Sequence, residues 1–251
     1  MQKKKGRLAR ILIPILALAV IAGVLLAINP IRSMTAIGSM SPLKTQVVND
    51  NVIAIDNGYV NMYLYKYGDK YVLFDAGVDN EATVAALDDL GIIRSDIVAV
   101  FFTHTDNDHV AALSLLPDAD VYMAASNKVF LETGTGRTRS SSFLGMDRDA
   151  RTLADGEGMS ISGLEVRCIF TPGHTDGSAC YVVDGRYLFT GDTLKLEEGS
   201  VTLFYDVFNM DNDTQEQSIR KLAGLKGIEA VFTMHNGYTT DFNTAFEGWF
   251  D

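Results

Sequence analysis

The sequence predicts an α/β domain placed behind an N-terminal apolar segment. Short apolar runs with strand character alternate with segments of helical spacing. Several strand-like runs end on metal-capable side chains instead of ordinary turn residues. About 205 residues follow the apolar segment and its connector, enough for one domain with a substantial core.

Met1 to Arg10 carries Lys3, Lys4, Lys5, Arg7 and Arg10, and the eighteen residues from Ile11 to Ile28 carry no charge. At 1.5 Å per residue such a helix spans roughly 27 Å, close to the hydrocarbon thickness of a bilayer. The run is longer than a signal-peptide core, and Asn29-Pro30-Ile31-Arg32 makes a poor cleavage site. The expectation is an uncleaved transmembrane helix, with a cleaved signal peptide as the alternative. Pro14 falls near the helix start, where it costs least. The basic flank stays in the cytoplasm, which places the remainder outside the cell membrane as a single-pass protein. Residues 1–30 are thus flank and anchor, 31–46 a linker without clear period, and 47–251 the main domain.

The formal net charge is −11, but the N-terminal flank hides the charge of the rest. It holds five of the 21 basic residues and no acid, which leaves 16 basic against 32 acidic side chains, a net of −16. An acidic body is repelled by nucleic acid and by anionic headgroups, so a nucleic-acid partner is not expected.

Within the main domain, Val47–Ile55 and Tyr59–Tyr67 read as strands around the turn Asp56-Asn57-Gly58. Tyr71–Phe74 continues the sheet and ends at Asp75-Ala76-Gly77. Asn80–Leu90 has helical spacing and stops at Gly91. Ile97–Phe102 is a strand, His109–Leu116 a short helix, Asp120–Ala124 a strand, and Ser126 the cap of a helix reaching Leu131. Thr133–Ser142 is a Gly/Ser/Thr-rich loop, a solvated connection or a substrate flap, in which Arg137 and Arg139 are candidates for a carboxylate contact. Met159–Ile161, Glu165–Phe170, Ala179–Val183 and Tyr187–Thr190 read as strands, with Asp184-Gly185 as a hairpin signal. Leu194–Asp213 reads as a long loop whose Phe204, Tyr205, Phe208 and Met210 either line a pocket or cover the core. Thr214–Leu225 is an amphipathic helix capped by Asp213, and Ala230–Thr233 a last strand. Cys168 and Cys180 are read as core thiols, with a disulfide or metal ligation as the alternatives.

The chemistry gathers at FFTHTDNDHV, Phe101 to Val110. In an extended stretch residues i and i+2 point the same way, so His104 and Asp106 converge on one ion, while Asp108 and His109 face a second after the turn. Alone, the run has a solvated turn with two incidental histidines as its alternative reading. The other two of the four histidines favour a metal site: His174 in TPGHTDGS and His235 in FTMHNG each follow a strand-like run, as does Asp192 in FTGDT. Imidazole and carboxylate donors suit zinc and other first-row divalent ions.

This order of motifs resembles the metallo-β-lactamase superfamily of metal-dependent hydrolases, from about Val47 to Tyr238. The resemblance implies a four-layer αββα sandwich forming the catalytic domain, 47–251. It also implies two divalent metal ions: His104, Asp106 and His174 on one, Asp108, His109 and His235 on the other, and Asp192 bridging. It implies a support role for Asp75, which holds the metal loop by hydrogen bonding without ligating. The implied activity is attack by a metal-bridging hydroxide on an ester, lactone, thioester or amide of a small-molecule substrate, with Asp108 also holding the hydroxide's proton. The sequence departs from the family at Asp106, where a second histidine is usual. Zinc is expected, and the extra carboxylate opens the site to Fe or Mn. A di-iron oxidoreductase and a catalytically silent metal-binding module are the alternatives. Oligomeric state is not legible.

Overall fold

A computed structural model describes residues 29–127 and 149–250. The expected membrane segment, most of the helix begun at Ser126, and the Arg137/Arg139 loop lie outside these residues. Among the described residues no helix is long and apolar enough to cross a membrane. The chain separates into two units, Met1–Ser39 and Met40–Asp251. In the first, residues 29–39 form a helix, α1, within a stretch read as linker. Thr35 Oγ1 donates to Ile31 O and Ser39 Oγ to Ala36 O.

The second unit holds two large sheets. The first has seven strands in sequence order: β1 (Gln46–Val47), β2 (Val52–Asn57), β3 (Val60–Tyr67), β4 (Lys70–Phe74), β5 (Ile97–Phe102), β6 (Asp120–Ala124) and β7 (Ala150–Leu153). The second has six, in the order β15 (Tyr238–Thr239), β14 (Ala230–Phe232), β11 (Tyr187–Phe189), β10 (Ala179–Val183), β9 (Leu164–Phe170) and β8 (Gly158–Ile161). A separate hairpin joins β12 (Leu194–Glu197) to β13 (Ser200–Leu203).

Strand parity explains why three clusters form. In β10, Ala179, Tyr181 and Val183 enter the core between the sheets, while Cys180 and Val182 face the other way. In β5, Ala99 and Phe101 point between the sheets, whereas Val100 and Phe102 pack with Leu87 of helix α2 (Asn80–Asp89). The second sheet covers its outer face with Ile219 and Leu222 of α4 (Asn212–Ala223) and Phe242 of α5 (Phe242–Ala245). Helix, sheet, sheet, helix is the αββα order. Both faces of the central strands are buried, so they read as near-continuous apolar runs. Across the central core, Phe74 of one sheet stacks on Phe189 of the other at 4.0 Å between ring centroids and 5° between planes. Burying such a ring contributes about 1.5–3 kcal/mol.

Topology places the strand ends. β4, β5 and β6 are parallel, so the residues after Phe74 and Phe102 emerge at one edge. β10 is antiparallel to both β9 and β11, and β11 is parallel to β14, so β9, β11 and β14 share a direction and end together. The two edges are fastened at that end. Tyr181 Oη donates to Phe102 O at 2.8 Å, Ala179 N to Thr103 O at 2.9 Å, and Tyr63 Oη to Thr233 O at 2.9 Å.

Several element readings need correction. Val47–Ile55 is two strands, because Asn49 Oδ1 accepts from Asn51 N and Val52 N and closes a turn between β1 and β2. The loop read over Leu194–Asp213 contains the β12–β13 hairpin, whose turn uses Glu198 and Gly199 at φ 51° and 84°. Two four-residue alternating runs around that pair were a readable hairpin signal. Helix α4 is capped by Asp211 and not by Asp213: the extended Asp211 reaches Thr214 N at 3.0 Å, and Asp213 sits in the first turn. The short helix at His109 starts earlier, as α3 (Asn107–Val110), before a 3-10 turn over Ala111–Leu115. Both cysteines are free and buried. Cys168 faces the central core and Cys180 the helical layer, so the sheet stands between them. Burial raises the thiols to about 12 and about 11, so both stay protonated at neutral pH as core side chains.

Candidate metal centre

Every metal-capable residue singled out in the sequence lies at the shared strand end. β5 delivers His104, and Asp106 holds the extended N-cap position of α3, at φ −69° and ψ 152°. His104 Nε2 and Asp106 Oδ2 are 3.7 Å apart, as the i, i+2 spacing predicts. His174 Nε2, from the turn after β9, is 3.4 Å from the same oxygen. The first turn of α3 then brings Asp108 Oδ2 to 3.8 Å from His109 Nε2 and 3.7 Å from His235 Nε2. Asp192, after β11, lies between the two groups. Its Oδ2 is 4.0 Å from His104 Nε2 and 3.5 Å from His174 Nε2. Its Oδ1 is 3.5 Å from His109 Nε2 and 3.2 Å from His235 Nε2. The potential ligand atoms of His104, Asp106 and His174, and separately of Asp108, His109 and His235, lie within 4.8 Å of one another.

The outer nitrogen of each imidazole is engaged. His235 Nδ1 meets Tyr59 O at 2.6 Å, and His174 Nδ1 meets Asn209 Oδ1 at 3.2 Å. His109 Nδ1 meets Asp75 Oδ2 at 2.8 Å, and His104 Nδ1 meets Thr103 Oγ1 at 3.0 Å. Thr103 gives its only hydroxyl proton to Asp75 Oδ2, so it must accept from His104. All four rings therefore donate from Nδ1 and turn Nε2 inward, a tautomer assignment fixed by their acceptors.

Asp75 anchors this arrangement as expected. It is fully buried, takes the left-handed φ of 56°, and also accepts from Thr103 N at 2.8 Å. Gly191, before Asp192, has φ 54°, and a Cβ there would overlap the Thr103 side chain. The site thus closes around a position only glycine fills.

Charge in the cluster is uneven. Burial, then the His109 and His174 imidazoles, hold His104 well below its ordinary pKa. For His109 burial acts downward, but Asp192, Asp75 and Asp108 outweigh it and raise the ring well above the usual range. His235 is raised in the same way, against burial, chiefly by Asp192. Burial would raise Asp192, yet His235 and His109 hold its carboxyl well below the ordinary value. The carboxylates around Asp192 thus create a strong demand for positive charge. The same Nε2 atoms, once deprotonated, would be the ones to hold a divalent ion that met that demand.

The residues fit metal ions. The Nε2 atoms of His104, His109 and His235 and the Oδ1 of Asp192 are buried without a well-formed hydrogen bond among the described residues. Such orphaned donor atoms are costly unless something binds them.

The sequence profile of the metallo-beta-lactamase superfamily matches residues 55–235. The chain belongs to the metallo-β-lactamase superfamily. Among its relatives is a probable polyketide biosynthesis zinc-dependent hydrolase, BaeB, of Bacillus velezensis. The two are 32% identical over 113 residues, 44% of this chain and 44% of the relative. A hydroxyacylglutathione hydrolase of Synechococcus sp. is 31% identical over 137 residues, 53% of this chain and 48% of the relative. The chain thus spans about half the length of the curated relatives it matches. Among solved structures, BJP-1, a subclass B3 metallo-beta-lactamase of Bradyrhizobium japonicum, superposes with a TM-score of 0.60 at 19% identity, covering 78% of this chain and 79% of that one. At that identity the likeness concerns the metallo-β-lactamase fold.

Aromatic rings wall the metallo-β-lactamase centre. Tyr59 stacks on His235 at 6.0 Å and 9°, and Phe204 lies 5.2 Å from the His174 ring and 5.4 Å from the His235 ring. Phe204 is buried, so it packs directly on the imidazoles. Sequence reasoning found the seven ligand candidates and Asp75. It missed Thr103, Tyr59, Asn209 and Gln215, whose roles depend on main-chain oxygens and distant partners.

Proposed function

We propose that the protein is a metal-dependent hydrolase that binds two divalent ions and cleaves an ester, lactone, thioester or amide of a small substrate. The observation that carries this reading is the split of Asp192: one carboxylate oxygen faces His109 and His235, the other His104 and His174. Two ions held this way supply an acidified water and a Lewis-acid contact for the substrate carbonyl. The chain's own part is to fix that chemistry in place. Asp192 sets the spacing between the two groups, and the four Nδ1 bonds lock each ring with Nε2 inward. Asp108, whose side chain is 20% exposed against 5% for Asp192, is the carboxylate placed to hold the attacking water's proton at Oδ2. Tyr59 and Phe204 shield two of the imidazoles from solvent. Asp106 Oδ2 stands between His104 and His174, so the first metal position carries an additional negative charge compared with a histidine at that place.

Metal analysis of the purified protein beside a panel of esters, lactones, a cephalosporin and a phosphodiester tests the reading. Two zincs per chain with turnover of a carbonyl substrate are expected. Iron together with dioxygen consumption would replace it with an oxidoreductase, and one tight metal without turnover with a silent module.

The Asp106→His variant should hold zinc more tightly and show a pH–rate midpoint at lower pH than the wild type. Imidazole is the better zinc donor, and removing one negative charge makes the metals more acidifying. Unchanged zinc affinity and an unchanged profile would show that Asp106 does not ligate.

The apolar run Ile11–Ile28 supports a single-pass membrane anchor with the catalytic domain outside. Protease added to intact cells should digest the domain and spare the Lys3–Arg10 flank. Protection of the whole chain until lysis would reject that orientation.

A further inference from the structure

Gln215 is fully buried in the first turn of α4, although a buried amide costs stability unless every donor is satisfied. Its Nε2 donates to Asp192 O at 3.0 Å and to Asn209 Oδ1 at 3.1 Å. Its Oε1 accepts from Asn209 Nδ2 at 2.7 Å, which makes the two amides a reciprocal pair. Asn209 Oδ1 therefore accepts from Gln215 and from His174 Nδ1, using both lone pairs. A flipped Asn209 amide would set donors against both donors, so the network fixes its orientation. Asn209 Nδ2 also reaches Phe204 O at 3.1 Å and Asn212 Oδ1 at 2.8 Å, sharing its two hydrogens among three acceptors.

The backbone beneath is equally tight. Gly173, at φ 135°, packs against the main chain of Gln215, where a Cβ would overlap it. Met210 N and Asp211 N both donate to Gly173 O, at 3.0 and 2.9 Å. The turn bearing His174 is thus seated on the start of α4, and the helix holds the Asp192 main chain from the same amide.

We propose that Asn209 and Gln215 are positioning residues for the first metal position. The pair holds His174 and Asp192 in one register, and through Phe204 O it ties that metal position to the aromatic segment walling the site. An apolar side chain of Gln215's size would fill the same space without the cost of a buried amide; the amide adds a simultaneous hold on two ligands donated by different strands. Such outer partners of metal ligands tune affinity by fixing ring tautomer and orientation. This inference rests on the reading that His174 and Asp192 bind metal.

The test is zinc titration of the full-length protein in competition with a chelator, with metals counted per chain and melting followed without metal. Wild-type protein that takes up fewer than two zincs overturns the two-metal reading itself, and this inference with it. If wild type binds two, Asn209→Ala should weaken one zinc by about 10–100-fold and leave the other within about threefold, while Gln215→Met, which also frees the main chain of the shared Asp192, should weaken the same zinc by about 10–100-fold and the other by less. Asn209→Asp keeps an oxygen facing His174 Nδ1 and should hold that zinc about tenfold more tightly than Asn209→Ala. Equal weakening of both zincs by Asn209→Ala would mean that the pair only packs the loop. Unchanged affinities, or an Asp variant no better than Ala, would overturn the proposal equally. Should Gln215→Met fail to fold, the contrast at the part-exposed Asn209 decides.

Discussion

His109→Ala and His235→Ala should each abolish hydrolysis and remove one of the two proposed metals, while the metal on the His104 side should stay bound. Each ring is one of few donors in the group Asp108, His109 and His235, and losing one donor weakens a site of this kind by orders of magnitude. The two variants should differ in stability. His109→Ala strips Asp75 of a charge-assisted bond of 2.8 Å deep in the core, leaving a buried carboxylate held only by Thr103. Leaving a buried charge short of partners costs about 3–5 kcal/mol. His235→Ala loses a bond to a backbone carbonyl and a stacking contact with Tyr59, both part-buried, and should melt closer to the wild type. Elemental analysis and thermal melting of both proteins check this. Either variant retaining two metals at wild-type affinity would remove His109 and His235 from the ligand set.

The metal centre was legible because histidine and aspartate have few structural reasons to follow a buried strand. Four strand-like runs ended on them, and the sheet topology turns those ends to one edge. Asp75 ends the apolar strand Tyr71–Phe74, but its support role was legible only through the family resemblance of the Asp75-Ala76-Gly77 turn. What stayed hidden depends on register or on contacts distant in sequence. Cys168 and Cys180 sit in neighbouring strands, but only the pairing of Cys168 with Tyr181 shows that their side chains leave opposite faces of the sheet. The β1–β2 turn at Asn49-Asp50-Asn51 was signalled by three turn-forming residues that a single strand over Val47–Ile55 passed over, and β7 has two exposed positions among its four residues and so showed no clean alternation. Asn209 and Gln215 look like ordinary polar residues near a helix start. Their partners, His174 and Asp192, are 35 and 23 residues away, and no periodicity points to them.

Asp75→Asn should weaken both metals at once with little loss of fold, a broader effect than removing a ligand. The variant keeps the shape of the side chain, and asparagine tolerates the left-handed backbone at φ 56° as aspartate does. It changes one acceptor into a donor. If the amide oxygen continues to accept from Thr103 N, the new NH2 faces Thr103 Oγ1 and His109 Nδ1, both of which now give a proton to Asp75 Oδ2. His109 must then accept at Nδ1 and carry its proton on Nε2, aimed into the metal position. Thr103, accepting from the amide, is free to donate to His104 Nδ1 and drives that ring to the same wrong tautomer. One atom thus turns a donor hydrogen into each metal group. Zinc affinity should fall by about 10–100-fold at both positions, the range found when partners of metal-bound histidines are replaced. Asp75→Ala forces no tautomer. It should instead melt lower, because it leaves the Thr103 amide and hydroxyl without their acceptor and places alanine at a left-handed φ, while losing less zinc affinity than Asp75→Asn. Zinc titration of the two variants separates these effects. An asparagine variant binding both zincs within about threefold of wild type would mean that Asp75 does not set the ring tautomers.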